Sequence, residues 1–192
     1  MSIKDQKLLY HLTSLENLAS ILTHGLLPRS QLNNFTDVAD SDIVTKRQAQ
    51  KLQDYVPFHF FSKNPFDLAA QHTYKDKTFV LIAVRRDHAS ANNWQIIPRH
   101  PLANEETTRL NYSQGMDSIN WGLMNQRNYS DHHCKSVCMA ECLSPEAVPA
   151  NQFFKIFTQN QTVDQQVQEI MKSVNITVST QINENMFVKH HD

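Results

Sequence analysis

Only three glycines, Gly25, Gly115 and Gly122, occur in this chain of 192 residues, and none stands in a GxGxxG or Walker pattern. A backbone with so few positions free to approach a pyrophosphate closely excludes the dinucleotide-binding βαβ folds and the P-loop folds. The hydrophobic pattern leads away from them as well. Short apolar strands alternate irregularly with short helical stretches, without a repeated βαβ period, and this places the chain in the α+β class.

Along the chain, Leu8 to Leu12 reads as a strand. Thr13-Ser-Leu-Glu16 has the spacing of a capping box, and the apolar recurrence Leu15, Leu18, Ile21, Leu22 predicts a helix from there to His24, closed by Gly25. From Pro28 to Gln53 the sequence is polar and aperiodic, with a helical turn expected within Ile43 to Leu52; a connection that long is functional or disordered. Residues 55–61 and 78–84 are β-branched and aromatic and predict strands, with a helix between them over Pro65 to Tyr74. A short strand is expected at Gln95–Ile97, loop from Pro98 to Asn111, and a helix within Gly115 to Tyr129. Val137–Leu143 and Phe153–Phe157 read as strands, followed by a helix over Thr162 to Met171. The apolar content of 40 % and the length suit one domain over residues 1–192.

Charge and cysteine usage narrow the class further. With 18 Lys and Arg against 19 Asp and Glu, the molecule has no basic field, so any nucleic-acid contact must be local. No segment approaches the roughly 20 apolar residues that span a bilayer, and the N-terminus lacks an apolar stretch of signal-peptide length, so a soluble, cytoplasmic protein is expected. Cys134, Cys138 and Cys142 are an odd, crowded set that suits a reduced compartment. With His132 and His133 they bring zinc to mind, but their spacing does not match CxxC pairs, and on a strand they would share a face without converging on one ion; no metal is expected. His190 and His191 lie in a terminal tail with no specific role.

Glu141 is the carboxylate to explain, because it lies in an otherwise apolar segment where an unpaired charge is costly to bury. Either it is functional or it faces solvent from a one-sided sheet. His11 and Thr13 flank Leu12 at a strand-to-helix junction and can point together into a cleft; otherwise Thr13 only caps the helix and His11 is a satisfied core histidine. Arg47, in the polar stretch, can grip a pyrophosphate through bidentate bonds that lysine would not reproduce, or is solvated surface. Phe58, Phe60 and Phe61 read as core, whereas His59 and Phe66 can line a nicotinamide-sized pocket.

In order, Tyr10-His-Leu-Thr13 leading into Asn17-Leu18, His24-Gly-Leu26, Asp54-Tyr-Val-Pro-Phe-His-Phe60 with Asn64-Pro-Phe66, and Ala140-Glu-Cys-Leu143 give a chain that resembles the DarT family of DNA ADP-ribosyltransferase toxins, over roughly residues 8 to 150. The resemblance implies an ADP-ribosyltransferase-like split β-sheet with helices around an NAD cleft, and transfer of ADP-ribose to a base, most often thymidine, in single-stranded DNA. By position it implies that His11, Leu12 and Thr13 contact the nicotinamide and its ribose with Asn17 and Ser20 beside them, that His59 and Phe66 line the pocket, and that Arg47 and Glu141 are the catalytic pair. The family commonly has tyrosine where this chain has His59 and methionine where it has Phe66, and its arginine-rich run before the glutamate is reduced here to Lys135-Ser-Val-Cys.

The mechanism that fits those residues has Arg47 on the NAD phosphates and Glu141 at the nicotinamide ribose, favouring an oxocarbenium-like transition state. Glu141 is then the preferred acceptor of the proton from the attacking base. Trp121, Arg127, Tyr129 and Lys135 offer stacking surfaces and cations to an unstacked DNA base; the alternative is packing for Trp121 and ordinary surface for the others. A macrodomain antitoxin is the partner implied by the family. An RNA or protein acceptor, and a noncatalytic module that reads NAD or nucleic acid, are the competing functions.

Overall fold

The computed structural model describes residues 2–32, 35–36, 45, 47–100 and 108–189. Among them seven strands form one sheet: β1 (Leu8–Ser14), β2 (Val56–His59), β3 (Phe79–Arg85), β4 (Gln95–Ile97), β5 (Glu141–Ser144), β6 (Lys155–Thr158) and β7 (Thr180–Ile182), in spatial order β4-β5-β2-β1-β3-β6-β7. Every neighbouring pair is antiparallel except β6 with β7. Every residue from Phe79 to Val84 is buried, which is why this run occupies the interior of the sheet with cover on both faces. The helices are α1 (Leu18–His24), α2 (Pro65–Thr73), α3 (Arg86–Ala91), α4 (Tyr112–Ser118), α5 (Trp121–Gln126), α6 (His132–Val137) and α7 (Gln161–Ser173).

One face of the sheet carries Leu9, Phe58, Ile82, Ile96, Cys142 and Ile156 in the main core, which takes in Leu18 and Leu22 of α1 and Val163, Val167 and Met171 of α7. The other face is divided. Leu12, Leu81, Ala83 and Phe157 pack with Ala70, Met186 and Phe187, while Leu52, Ile97 and Leu143 form a separate cluster beside Tyr55. The register Tyr10↔His59↔Glu141↔Ile97 runs across this second face from one cluster towards the other, placing a histidine and a carboxylate in the interval between them.

The sheet is nearly two sheets. β1 pairs with β3 along its whole length, from Leu8↔Arg85 to Ser14↔Phe79, yet it meets β2 only at Tyr10↔His59. Beyond that point β1 and β2 part. The His11 ring bridges them there, with its Nδ1 2.8 Å from the Pro57 carbonyl oxygen. Arg86 secures the other side of the junction: buried, it donates from Nε to Leu8 O, from Nη1 to Ile3 O and Lys4 O, and from Nη2 to Phe60 O.

Side-chain caps begin most helices: Asn64, Asn111, Asn120, Asp131 and Asn160 each accept from amides of the helix that follows. The start of α1 departs from the capping-box reading. β1 continues through Thr13, and Ser14 accepts from the Glu16 amide to open a 3₁₀ turn (Leu15–Asn17) ahead of the helix. Its end agrees with the sequence: Gly25 has φ of 87°, and a Cβ there would lie 2.8 Å from Val148 O.

Residues 137–143 were expected as one strand, but a helix ends at Val137 and the strand starts only at Glu141, so Cys134 sits on α6 and Cys142 on β5. Buried Cys134 and Cys138 donate to Leu123 O and Met124 O, contacts that favour the helix over a strand. Gly115 to Tyr129 holds parts of two helices rather than one. Short β7 and α3 carry no strong sequence signal. Of the helical turn expected within 43–52, Thr45 and residues 47–49 are helical, and Leu52–Asp54 forms a 3₁₀ turn; residues 43, 44 and 46 lie outside the described residues, as do 101–107 of the expected loop and His190 and His191. No described helix is long and apolar enough to cross a membrane.

Candidate active site

Glu141 opens β5 and is 6 % exposed, so the solvent-facing alternative does not hold. Arg47 resolves the cost of burying it. Nη1 of Arg47 donates to both carboxylate oxygens, at 2.7 Å to Oε1 and 2.9 Å to Oε2, although the residues lie 94 positions apart. The Arg47 side chain is 14 % exposed, so it is not solvated surface either. A pair this sheltered from water is electrostatically strong, and it costs desolvation that a purely structural pair seldom repays. Nε and Nη2 of Arg47 make no hydrogen bond among the described residues.

His59 stands across the strand ladder from Glu141. It is buried, its Nδ1 lies 3.2 Å from Ala140 O, and its ring stacks on Phe66 with centroids 5.7 Å apart and planes at 27°. A carbonyl accepts only, so Nδ1 carries the proton and Nε2 presents a lone pair. Burial lowers the His59 pKa; Glu141 and the Ala140 bond oppose this and Arg47 adds to it. His11 behaves alike. Burial takes its pKa down to about 4 against the upward pull of the Pro57 bond, so the neutral ring donates from Nδ1 and keeps Nε2 as an acceptor. Phe58, on which His11 packs at 5.7 Å, is fully buried core.

The other residues expected at the cofactor divide into two kinds. Leu12 is core, and Thr13 is buried with its Oγ1 accepting from Asn17 Nδ2 at 3.3 Å. Asn17 also holds the main chain of Thr36 at both ends, accepting from its N–H at 2.8 Å and donating to its carbonyl at 2.9 Å. Glu16 adds a bond from Thr36 Oγ1. This docks the main chain at Thr36 onto the start of α1. Ser20 is exposed on α1. Phe66 is half-buried at the first turn of α2, directly after the Asn64 cap.

The four residues assigned to DNA do not form one surface of equivalent side chains. Trp121 is packed, its indole N–H given to Met116 O and its ring edge-on to Phe60 at 5.4 Å. Tyr129 gives its hydroxyl proton to Lys63 O at 2.9 Å. Arg127 and Lys135 are exposed, Arg127 over the Phe61 ring at 4.7 Å.

Two polar residues near the site escaped the sequence reading. His100, its N–H held by Ser136 O, is close enough to feel Glu141, Arg47 and His59, and burial lowers its pKa. The pairing of Ile97 with Glu141 accounts for its position, and that pairing has no local signature. Asp67 is buried beneath the wall that holds Phe66, accepts from the Lys63 amide at 2.9 Å, and has its pKa pushed up to about 7 by burial against the downward pull of its hydrogen bonds. Among the described residues no group of three His, Cys, Asp or Glu side chains is placed to hold a metal ion.

The seven-stranded, mostly antiparallel sheet with its surrounding helices has the fold of the DarT ADP-ribosyltransferases. The chain superposes on Thermus sp. 2.9 DarT in complex with ADP-ribosylated ssDNA with a TM-score of 0.81, at 17 % identity and covering 95 % of this chain and 96 % of that one. On Thermus sp. 2.9 DarT in complex with NAD+ the TM-score is 0.78, at 18 % identity and covering 96 % and 98 %. At those identities the likeness is one of fold. The sequence model of the family described as "ssDNA thymidine ADP-ribosyltransferase, DarT" matches residues 10–188, and the chain belongs to this DarT family. A curated relative, the DNA ADP-ribosyl transferase-DNA ADP-ribosyl glycohydrolase fusion protein of Thermosipho africanus (strain H17ap60334), is 26 % identical over 88 % of this chain. The chain spans about half of that relative's length, 47 %.

Proposed function

We propose that this chain is an NAD-dependent mono-ADP-ribosyltransferase that modifies thymidine in single-stranded DNA, acting in the cytoplasm as the toxin of a pair whose macrodomain antitoxin removes the mark. The observation that carries the reading is the buried Arg47–Glu141 pair beside the split between β1 and β2. The family description supports it, as do the NAD+ and ADP-ribosylated ssDNA of the Thermus complexes; the fusion of transferase with glycohydrolase in the Thermosipho relative supports the antitoxin partner. Residues 1–192 are read as one transferase domain.

The residues fit NAD as co-substrate. Arg47 has Nε and Nη2 to offer a phosphate while Nη1 holds Glu141. His11 presents Nε2 to a ribose hydroxyl or the carboxamide, and β1 beyond Tyr10, no longer paired with β2, offers main-chain groups at Leu12; Thr13, whose main chain pairs with Val80, has its hydroxyl to offer. Asn17 sets the approach of the Thr36 segment, exposed Ser20 on α1 has its hydroxyl to offer the cofactor, and Phe66 on His59 forms a flat wall for the nicotinamide ring. Glu141 then accepts from the nicotinamide ribose and stabilises the positive charge that grows at the anomeric carbon as nicotinamide leaves. Arg127 and Lys135 supply cations to the DNA backbone, while Trp121 and Tyr129, whose polar hydrogens go to Met116 O and Lys63 O, contribute through packing.

The test is incubation with labelled NAD and, in parallel, single-stranded DNA, RNA and protein acceptors. Label on single-stranded DNA that Glu141→Ala abolishes is the expected result. Label on RNA or protein changes the acceptor, and NAD binding without turnover makes the chain a binding module.

A further inference from the structure

Loss of a proton from the acceptor is the step that Glu141 serves least well. Its two oxygens already accept from Nη1 of Arg47, and in the proposed function their remaining lone pairs are taken by the nicotinamide ribose. Across the ladder, His59 has its ring fixed twice, by Nδ1 on Ala140 O and by the stack on Phe66. Nε2 of His59 makes no hydrogen bond among the described residues. We infer that His59 Nε2 takes the ring N–H proton of the acceptor base, so that this site selects an unpaired base bearing a ring N–H, such as thymine, uracil or guanine, over cytosine or adenine, which bear a ring lone pair there.

The inference rests on the reading of the chain as a thymidine ADP-ribosyltransferase and adds the residue that reads the base. In a thymine nucleoside N1 is taken by the sugar, so N3 carries the only N–H. As the bond from the anomeric carbon to nicotinamide breaks, its electron pair leaves with nicotinamide. The N3–H bond breaks, its proton goes to Nε2, and the N3 electron pair forms the new bond to the anomeric carbon; the imidazolium then returns the proton to water. Cytosine and adenine present a lone pair at the corresponding position and would face the His59 lone pair. Besides Glu141 and Arg47, the titratable groups within electrostatic reach of the ring are His11, on the opposite face of the sheet, and His100. Burial keeps the ring neutral, as an acceptor requires.

The experiment compares a single-stranded oligonucleotide containing one thymine with one carrying 5-fluorouracil instead, whose N3–H is more acidic and depends less on a base. Transfer by the native protein is measured beside His59→Gln and His59→Phe. A positioned base contributes about 10²–10⁴-fold. Both variants should therefore lose at least 100-fold on thymine and regain at least tenfold of it on 5-fluorouracil, whereas the native protein should treat the two bases within a few-fold. Equal losses on both bases, or undiminished transfer to thymine in either variant, overturn the inference while leaving the proposed activity intact. If the native protein labels neither oligonucleotide, the proposed activity fails and this inference fails with it.

Discussion

At the scale of single residues, the proposed function makes the Arg47–Glu141 pair join stability to activity. Removing one partner strands a buried charge, at a cost of about 3–5 kcal/mol, whereas removing both charges strands nothing. Arg47→Ala should therefore lower the urea midpoint, and adding Glu141→Gln to it should recover much of the loss, while transfer stays abolished in both proteins. A double variant as unstable as Arg47→Ala would contradict a direct pair. His11 and His59 on one side and Asp67 on the other give the protein opposing pH responses. The folded pKa of His11 is depressed from 6.5 to about 4, so its contribution is complete above 6.5 and is lost as pH falls towards 4. Burial of His59 acts in the same sense. Asp67 is raised from 3.8 to about 7, so its contribution is complete below 3.8 and is lost as pH rises towards 7. The His11 and Asp67 shifts are each worth roughly 3–4 kcal/mol at full extent. In Asp67→Asn the opposing response is removed, and stability should rise more steeply between pH 4 and 6.5 than in the native protein, as read by urea midpoints. Parallel profiles would mean that Asp67 titrates normally.

Among the elements, close approach decides more than propensity. A Cβ on Gly115 would collide with the Ile96 side chain, which is how α4 seats against β4, whereas Gly122 has open space beyond an Asn120 contact at 3.4 Å. Gly115→Ala should cost about 1–3 kcal/mol of overpacking, and Gly122→Ala, in a helix, should be neutral or stabilising; thermal unfolding of the two variants separates them. Arg86→Lys loses the fork that ties β1, β2 and the N-terminal 3₁₀ turn (Ile3–Asp5) together. Leaving several buried carbonyls unpaired should cost about 2–4 kcal/mol, seen as a lower melting temperature. These elements also show what a sequence discloses. The strand at Phe79–Arg85, the helix at Pro65–Thr73 and the stop at Gly25 are written in local pattern, as apolar run, Asn-Pro start and positive φ. The helix at His132–Val137 was not legible, because its buried cysteines and valine read equally well as strand and only contacts with Leu123 and Met124 decide between them. Thr13 was misread as a cap because the β1 ladder with β3 runs two residues farther than its apolar pattern.

For the whole molecule, the split in the sheet is the feature from which the function follows. One paired position between β1 and β2 leaves an opening at His11, and the long connection before β2 brings Arg47 back to meet Glu141. The two ends of that pair were visible as chemically costly residues, but their meeting was not, since no local spacing links positions so far apart. His100 was invisible for the same reason. The most direct measurement is the mass of a single-stranded oligonucleotide bearing one thymine after incubation with NAD and this protein, beside the same strand with cytosine in its place and beside Glu141→Gln. The account predicts a gain of one ADP-ribose on the thymine strand alone, lowered about 10²–10³-fold in rate by Glu141→Gln. A gain on both strands, or one that persists at full rate without the carboxylate, would contradict it.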